Sequence, residues 1–232
     1  MDKQKVPFRV ELKNISLFLG EYEIFNDLSL GLKQGCICGL VGGNGSGKTT
    51  LLNLLSGVIL PRKGQIIING ERVTYMPAWK RALQHSIARS FQVPCLADHL
   101  SGLDNLIVPK LVRHSFLRIL GTNRLAASFR QEARNYWRQL ELTESWLTKP
   151  ALEMSYGQRR ILDVVRCLFS GSAIMLLDEP FANVHRDVAD AISLAIKTVK
   201  NQSPDISVLI VSHEHDILSG LVDEIIESPG GG

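Results

Sequence analysis

Gly42-Gly43-Asn44-Gly45-Ser46-Gly47-Lys48-Thr49 stands between an apolar run, CICGLV at 36–41, and a stretch with helical spacing at 49–56. It satisfies G-x-x-x-x-G-K-[ST] in the strand-then-helix context that gives the pattern its meaning. The glycines permit a tight loop whose backbone N–H groups point inward, and the following helix adds its positive dipole end to that concavity. A polyphosphate fits such a nest. Lys48 can set its ammonium on the β- and γ-phosphate oxygens, and the Thr49 hydroxyl is suited to ligating magnesium. Mg-ATP is the implied ligand, with Gly42, Gly43, Asn44, Gly45, Ser46, Gly47, Lys48, Thr49 and Thr50 as its candidate contacts. A glycine-rich turn with an incidental lysine is the bland alternative, and the flanking elements argue against it.

A second apolar run, 174–177, delivers Asp178-Glu179-Pro180. Sites of wound α/β folds are built at the C-terminal ends of strands. Asp178 can hold magnesium through water, and Glu179, one step further, can polarise the water that attacks the γ-phosphate. Alone, an apolar strand ending in two acids says little; beside the phosphate loop it completes a hydrolytic site.

The runs at 36–41, 174–177 and 208–211 are nearly all apolar, as parallel strands covered on both faces require. Earlier in the chain, Val10 and Leu12, then Leu28, Leu30 and Leu32, alternate with other residues as antiparallel strands do. Residues 65–68 and 71–74 flank Asn69-Gly70, a pair suited to a two-residue hairpin turn. Helices are expected at 49–56, ending at Gly57, and at 188–200, before Ser203-Pro204. Between 94 and 150 the strand pattern vanishes, and Phe129, Ala133, Trp137 and Leu140 fall on one helical face. The fold expected is α/β: a P-loop NTPase core with a mainly parallel sheet, an N-terminal antiparallel β-subdomain and an inserted helical subdomain. All 232 residues form one domain, with about 1–92 and 166–228 as core, about 93–165 as helical subdomain and 229–232 as a flexible tail.

Apolar residues at 45% and charged residues at 21% describe a folded globular chain. No window of roughly 18 apolar residues occurs and the start lacks the apolar run of a secretory signal, so a cytoplasmic location is expected. The four cysteines, Cys36, Cys38, Cys95 and Cys167, have no zinc-like spacing and read as buried free thiols. A net charge of +3 gives no reason to expect nucleic acid as a partner. The charge is uneven, however: 105–140 holds Lys110, Arg113, Arg118, Arg124, Arg130, Arg134 and Arg138 against Glu132 alone. This is either a solvated helical face or a surface that meets anionic lipid.

Together with Ser155-Tyr156-Gly157-Gln158, Gln92 and His213, these motifs resemble the ATPases of ABC transporters, in the family's order and across nearly the whole chain. Ile87-Ala88-Arg89-Ser90-Phe91-Gln92, the long insert after it and Ser155-Tyr156-Gly157-Gln158-Arg159-Arg160 look most like the ATPase subunits of branched-chain amino acid importers. The resemblance implies that Ser155 to Gln158 contact ATP held by a partner subunit. Physically this is reasonable, since Ile161, Val164, Val165 and Leu168 give the next helix an apolar face and put Ser155 at its N-terminus, although an ordinary capped helix would look the same in isolation. It also implies that Gln92 senses magnesium, making the metal set Thr49, Gln92 and Asp178, and that His213, rather than His215, holds the attacking water beside Glu179.

By the same resemblance the chain is an ATP-hydrolysing motor on the cytoplasmic face of the plasma membrane, sandwiching two Mg-ATP with a second, identical or different, ATPase subunit. It drives a separate integral-membrane permease, with a substrate-binding protein in the same system. Import of amino acids or related small solutes is the leading expectation; an exporter motor, or a non-transport ABC protein serving DNA repair or translation, are the rivals. Two departures stand out. His185 follows Ala182-Asn183-Val184 where most of the family has aspartate, and Leu19 aligns with the aromatic that usually stacks on adenine, leaving Phe18 or Tyr22 as neighbours.

Overall fold

The computed structural model describes residues 8–115 and 122–228. Arg118 and the expected 229–232 tail lie outside them. In chain order the elements are β1 (Phe8–Leu19), β2 (Tyr22–Lys33), β3 (Ile37–Val41), α1 (Lys48–Ser56), β4 (Lys63–Ile68), β5 (Glu71–Arg72), α2 (Ala78–Gln84) and β6 (Ile87–Arg89). Then come α3 (Gly102–Ser115), α4 (Thr122–Gln139), α5 (Ser145–Thr148), α6 (Tyr156–Phe169), β7 (Ile174–Asp178), α7 (Arg186–Gln202), β8 (Ser207–Val211), α8 (His215–Ser219) and β9 (Glu224–Glu227).

The chain divides into two units, the first comprising 8–89, 173–179 and 204–228. It holds a five-stranded, wholly parallel sheet in the order β6-β7-β8-β3-β9 and a four-stranded antiparallel sheet in the order β2-β1-β4-β5. Every residue of β3, β7 and β8 is buried, as their unbroken apolar runs require. Each such Leu, Ile or Val contributes roughly 1.5–3 kcal/mol. The strands therefore order themselves and fix where Val41, Asp178 and Val211 end. In the antiparallel sheet, Ile68 pairs with Glu71 around the Asn69-Gly70 turn, and Asn69 takes the positive φ of 51° that this turn demands.

The second unit comprises 90–172 and 180–203 and contains α3 to α7. Phe129, Ala133, Trp137 and Leu140 are all buried, the face expected from their spacing. The division departs from the expected boundaries at α7, which groups with the helical unit instead of the core. Ala189, Ile192, Ala195, Ile196 and Val199 bury its apolar face, and the Tyr136 hydroxyl donates to Ala195 O at 3.3 Å. A helix's spacing shows that it has an apolar face; it does not show which neighbour covers it. No described helix is long and apolar enough to cross a membrane.

Candidate nucleotide site

The phosphate loop joins β3 to α1, and buried Leu51, Leu52, Leu54 and Leu55 anchor that helix. Gly47 is the N-cap with φ of 83°, left-handed backbone that a side chain would strain. At Gly42 the limit is contact: a Cβ there would meet Ser46 Oγ at 2.7 Å and Ser228 Cβ at 2.9 Å. Ser228, just past β9, donates from its hydroxyl to Ser46 O and from its amide to Val41 O, each at 2.6 Å. Sequence reading gave this serine no role. The Lys48 ammonium is buried and donates to Gly42 O at 2.7 Å and Gly43 O at 2.8 Å, so it already lies along the inside of the loop. Ser46 Oγ is buried without a hydrogen-bond partner. A loop that holds an orphaned hydroxyl and a buried ammonium at the start of a helix fits a phosphate group.

Asp178 ends β7 with 1% exposure. One carboxylate oxygen accepts from Thr49 Oγ1 at 3.1 Å, which fits the two as oxygen donors for one small hard cation. The other accepts from Arg89 Nη2 at 3.0 Å, and Arg89 Nη1 donates to Asn53 Oδ1 at 2.7 Å. Arg89 was legible only as part of a motif; the parallel register of β6 on β7 makes it Asp178's counter-charge. Glu179 is 8% exposed and has φ of 48°, a strained conformation for this residue that costs on the order of 1–3 kcal/mol. Its amide donates to Val211 O at 2.9 Å, and its Oε2 lies 2.9 Å from His213 Nδ1. His215 begins α8 and is exposed.

In the second unit Ser155 caps α6. Its hydroxyl accepts from the Gln158 amide at 3.3 Å, and Gln158 Oε1 accepts from the Ser155 amide at 3.0 Å. This reciprocal box sets the helix entry. Ser155, Tyr156, Gly157 and Gln158 line a cavity of about 650 Å³ together with Val184 and His185. His185 is the N-cap of α7 and makes no side-chain capping bond. Gln92 is exposed in the loop after β6.

One sequence reading changes, that of the cysteines, and two others gain detail. Cys36, Cys38 and Cys167 are buried and free, but Cys95 is exposed, because its loop follows Pro94 outside any helix or strand. The basic excess of 105–140 is offset in part at short range: Arg130 pairs with Asp104 at 2.8 Å, Arg138 with Glu144 at 2.5 Å, and Lys110 with Glu132. Asp104 and Glu144 sit just outside the segment whose charge was counted. Around the expected base contact, Leu19 and Tyr22 are exposed at the β1–β2 turn, while Arg62 lies over the Phe18 ring at 5.2 Å.

A glycine-rich loop lined by a buried lysine, with a hydroxyl at the start of the next helix bonded to the first of two acids at the end of a parallel strand, defines a P-loop nucleotide-binding protein. The chain belongs to the ABC transporter family, whose model, described as ABC transporter, matches residues 25–182. It is an ATP-binding, ATP-hydrolysing subunit of that family. It is 28% identical to the high-affinity branched-chain amino acid transport ATP-binding protein BraF of Pseudomonas aeruginosa, over 94% of this chain and 86% of that one. It is 29% identical to the lipoprotein-releasing system ATP-binding protein LolD of Acinetobacter baylyi, over 90% of this chain and 88% of that one. Other relatives are named for ribose or Fe(3+) import, and the chain spans 42% and 58% of their lengths. A bacterial ABC transporter cassette solved as a dimer shares the fold at a TM-score of 0.80 and 22% identity, covering 94% of each chain.

Proposed function

We propose that the chain is the motor of an importer for amino acids or related small solutes, working on the cytoplasmic face of the plasma membrane with a second ATPase subunit, separate permease subunits and a substrate-binding protein. The observation that carries the hydrolytic part is the grouping of Thr49, Asp178, Glu179 and His213 at the ends of neighbouring elements beside Lys48. The solute class rests on the likeness to BraF and to the branched-chain amino acid transport protein LivG of Archaeoglobus fulgidus.

In this reading the 42–50 loop amides and Lys48 bind the phosphates. Thr49 and Asp178, with Gln92, hold magnesium, whose chemistry is to neutralise charge developing on the β- and γ-phosphate oxygens. Glu179 accepts a proton from the attacking water, and His213 orients Glu179 and that water. Ser155 to Gln158 present the positive end of α6 to ATP held by the partner subunit.

The name of LolD favours a second reading, release of cargo out of the membrane. Purifying the native complex tests both. A co-purifying permease, with ATP-dependent solute uptake after reconstitution, supports import. Outward movement of a lipidated or hydrophobic cargo supports the rival and overturns the first reading.

A further inference from the structure

The helix α6 carries two ionisable side chains that none of these roles uses, Arg160 and Asp163, each 0% exposed. A guanidinium is costly to bury unless its N–H groups find acceptors and an opposite charge stands near. Both conditions are met. Arg160 Nη1 donates to Phe91 O at 2.5 Å and Nε donates to Pro180 O at 3.2 Å. Asp163, three residues along the same helix, supplies the opposite charge. Burial pushes its carboxyl up, against the pull of the Arg166 and Arg160 guanidiniums and of the Phe91 and Cys95 amides. Arg166 donates to Asp163 at 2.6 Å.

The two acceptors occupy particular places in the chain. Phe91 immediately precedes Gln92, and Pro180 immediately follows Glu179. A planar peptide transmits the orientation of one carbonyl to the next residue, because only two soft dihedrals separate them. The guanidinium is a rigid planar fork, so it fixes two carbonyls relative to each other and to the helix that bears it.

We propose that Arg160 is a positioning residue, through which the helix opened by Ser155 to Gln158 sets the backbone beside Gln92 and beside Glu179. Engagement of the 155–158 segment is thereby coupled to how those two side chains are presented. The inference rests on the roles given to Gln92, Glu179 and the 155–158 segment under Proposed function. Its energetic lever is geometry: a misplacement of about 1 Å can cost a hydrolytic site about 100-fold in rate. The phosphate loop and Lys48 supply nucleotide affinity, so affinity and turnover should separate.

The test uses the full chain carrying Arg160→Lys or Arg160→Met, with Glu179→Gln as reference. Affinity for a fluorescent ATP analogue, saturating turnover, KM and thermal melting are measured on each. Arg160→Lys keeps a buried charge but can hold only one carbonyl well. It should lower kcat by about 10-fold, with KM and analogue affinity within about twofold and melting near wild type. Arg160→Met should lose more, and if it fails to fold the lysine variant decides. Added to Glu179→Gln, Arg160→Lys should cost clearly less than its full 10-fold, because one of the two side chains it presents has already lost its function. Wild-type kcat in Arg160→Lys, or its full 10-fold loss repeated on top of Glu179→Gln, overturns the proposal. A wild-type rate for Glu179→Gln alone overturns the reading beneath it, whatever Arg160→Lys does.

Discussion

His213 Nδ1 stands 2.9 Å from Glu179 Oε2 because parallel β7 and β8 run in register, with Asp178 opposite Val211. Each strand then places a polar side chain one or two residues past its buried end, and the two meet. Glu179→Gln keeps the shape and removes the base, so ATP binding should persist while turnover falls by about 100-fold or more. Steady-state hydrolysis alongside nucleotide titration checks this. Near-native turnover would remove Glu179 from the base role. His213→Ala should cost less, about 10-fold, since it removes orientation and leaves the carboxylate.

Lys48 differs in kind, because its ammonium already lies against the Gly42 and Gly43 carbonyls, inside the loop that would take the phosphates. Lys48→Ala should weaken ATP binding itself through loss of a charge-assisted contact. Equilibrium binding in the presence of magnesium is the measurement, and unchanged affinity would refute the assignment.

Arg89 and Asp178 form an ion pair with side chains 7% and 2% exposed. Removing one partner of a buried pair strands the other charge, at a cost of about 3–5 kcal/mol. Arg89→Met should accordingly lower the melting temperature by on the order of 10 °C. Mg-ATP should restore part of that loss, because a cation beside Asp178 replaces the missing charge. Melting curves with and without Mg-ATP decide the matter; equal loss in both would show that Arg89 does not share Asp178 with a metal.

Much of this site is written in local chemistry. The loop 42–49 and the strand ending in Asp178-Glu179 are short, contiguous and governed by backbone rules, so they can be read one residue after another. The turn at Asn69 and the burial of Phe129, Ala133, Trp137 and Leu140 are likewise local. What escaped depends on pairing across the chain. Arg89 meets Asp178 only through the β6–β7 register, and Ser228 reaches the phosphate loop only because β9 lies beside β3. The partner that covers α7 is fixed by three-dimensional packing, and no spacing within 186–202 specifies it.

The cysteines give a chemical check on burial. Desolvation pushes Cys36 up to about 11 and Cys38 up to about 12, with Cys167 raised further, whereas Cys95 is exposed. A neutral, buried thiol is a poor nucleophile. A disulfide reagent at about pH 8, near the ordinary thiol pKa, should therefore modify one thiol per native chain, and Cys95→Ser should abolish the reaction. Rapid labelling of two or more thiols would show that Cys36, Cys38 or Cys167 is open to solvent.

The basic segment 105–140 gives the last prediction. Three of its seven basic residues are answered by acids nearby: Arg130 by Asp104, Arg138 by Glu144 and Lys110 by Glu132. Exposed pairs of this kind contribute about 0–1 kcal/mol each and present little net field to a distant surface. Replacing Arg130, Arg134 and Arg138 with glutamine should thus leave ATP affinity unchanged and alter association with permease-containing vesicles by less than about twofold at physiological salt, where screening acts over about 8 Å. Co-sedimentation at low and physiological salt measures it. A deep loss of vesicle binding that salt reproduces in the wild type would show that these arginines face anionic lipid, at roughly 1 kcal/mol per residue, and that the pairs with Asp104 and Glu144 yield to it.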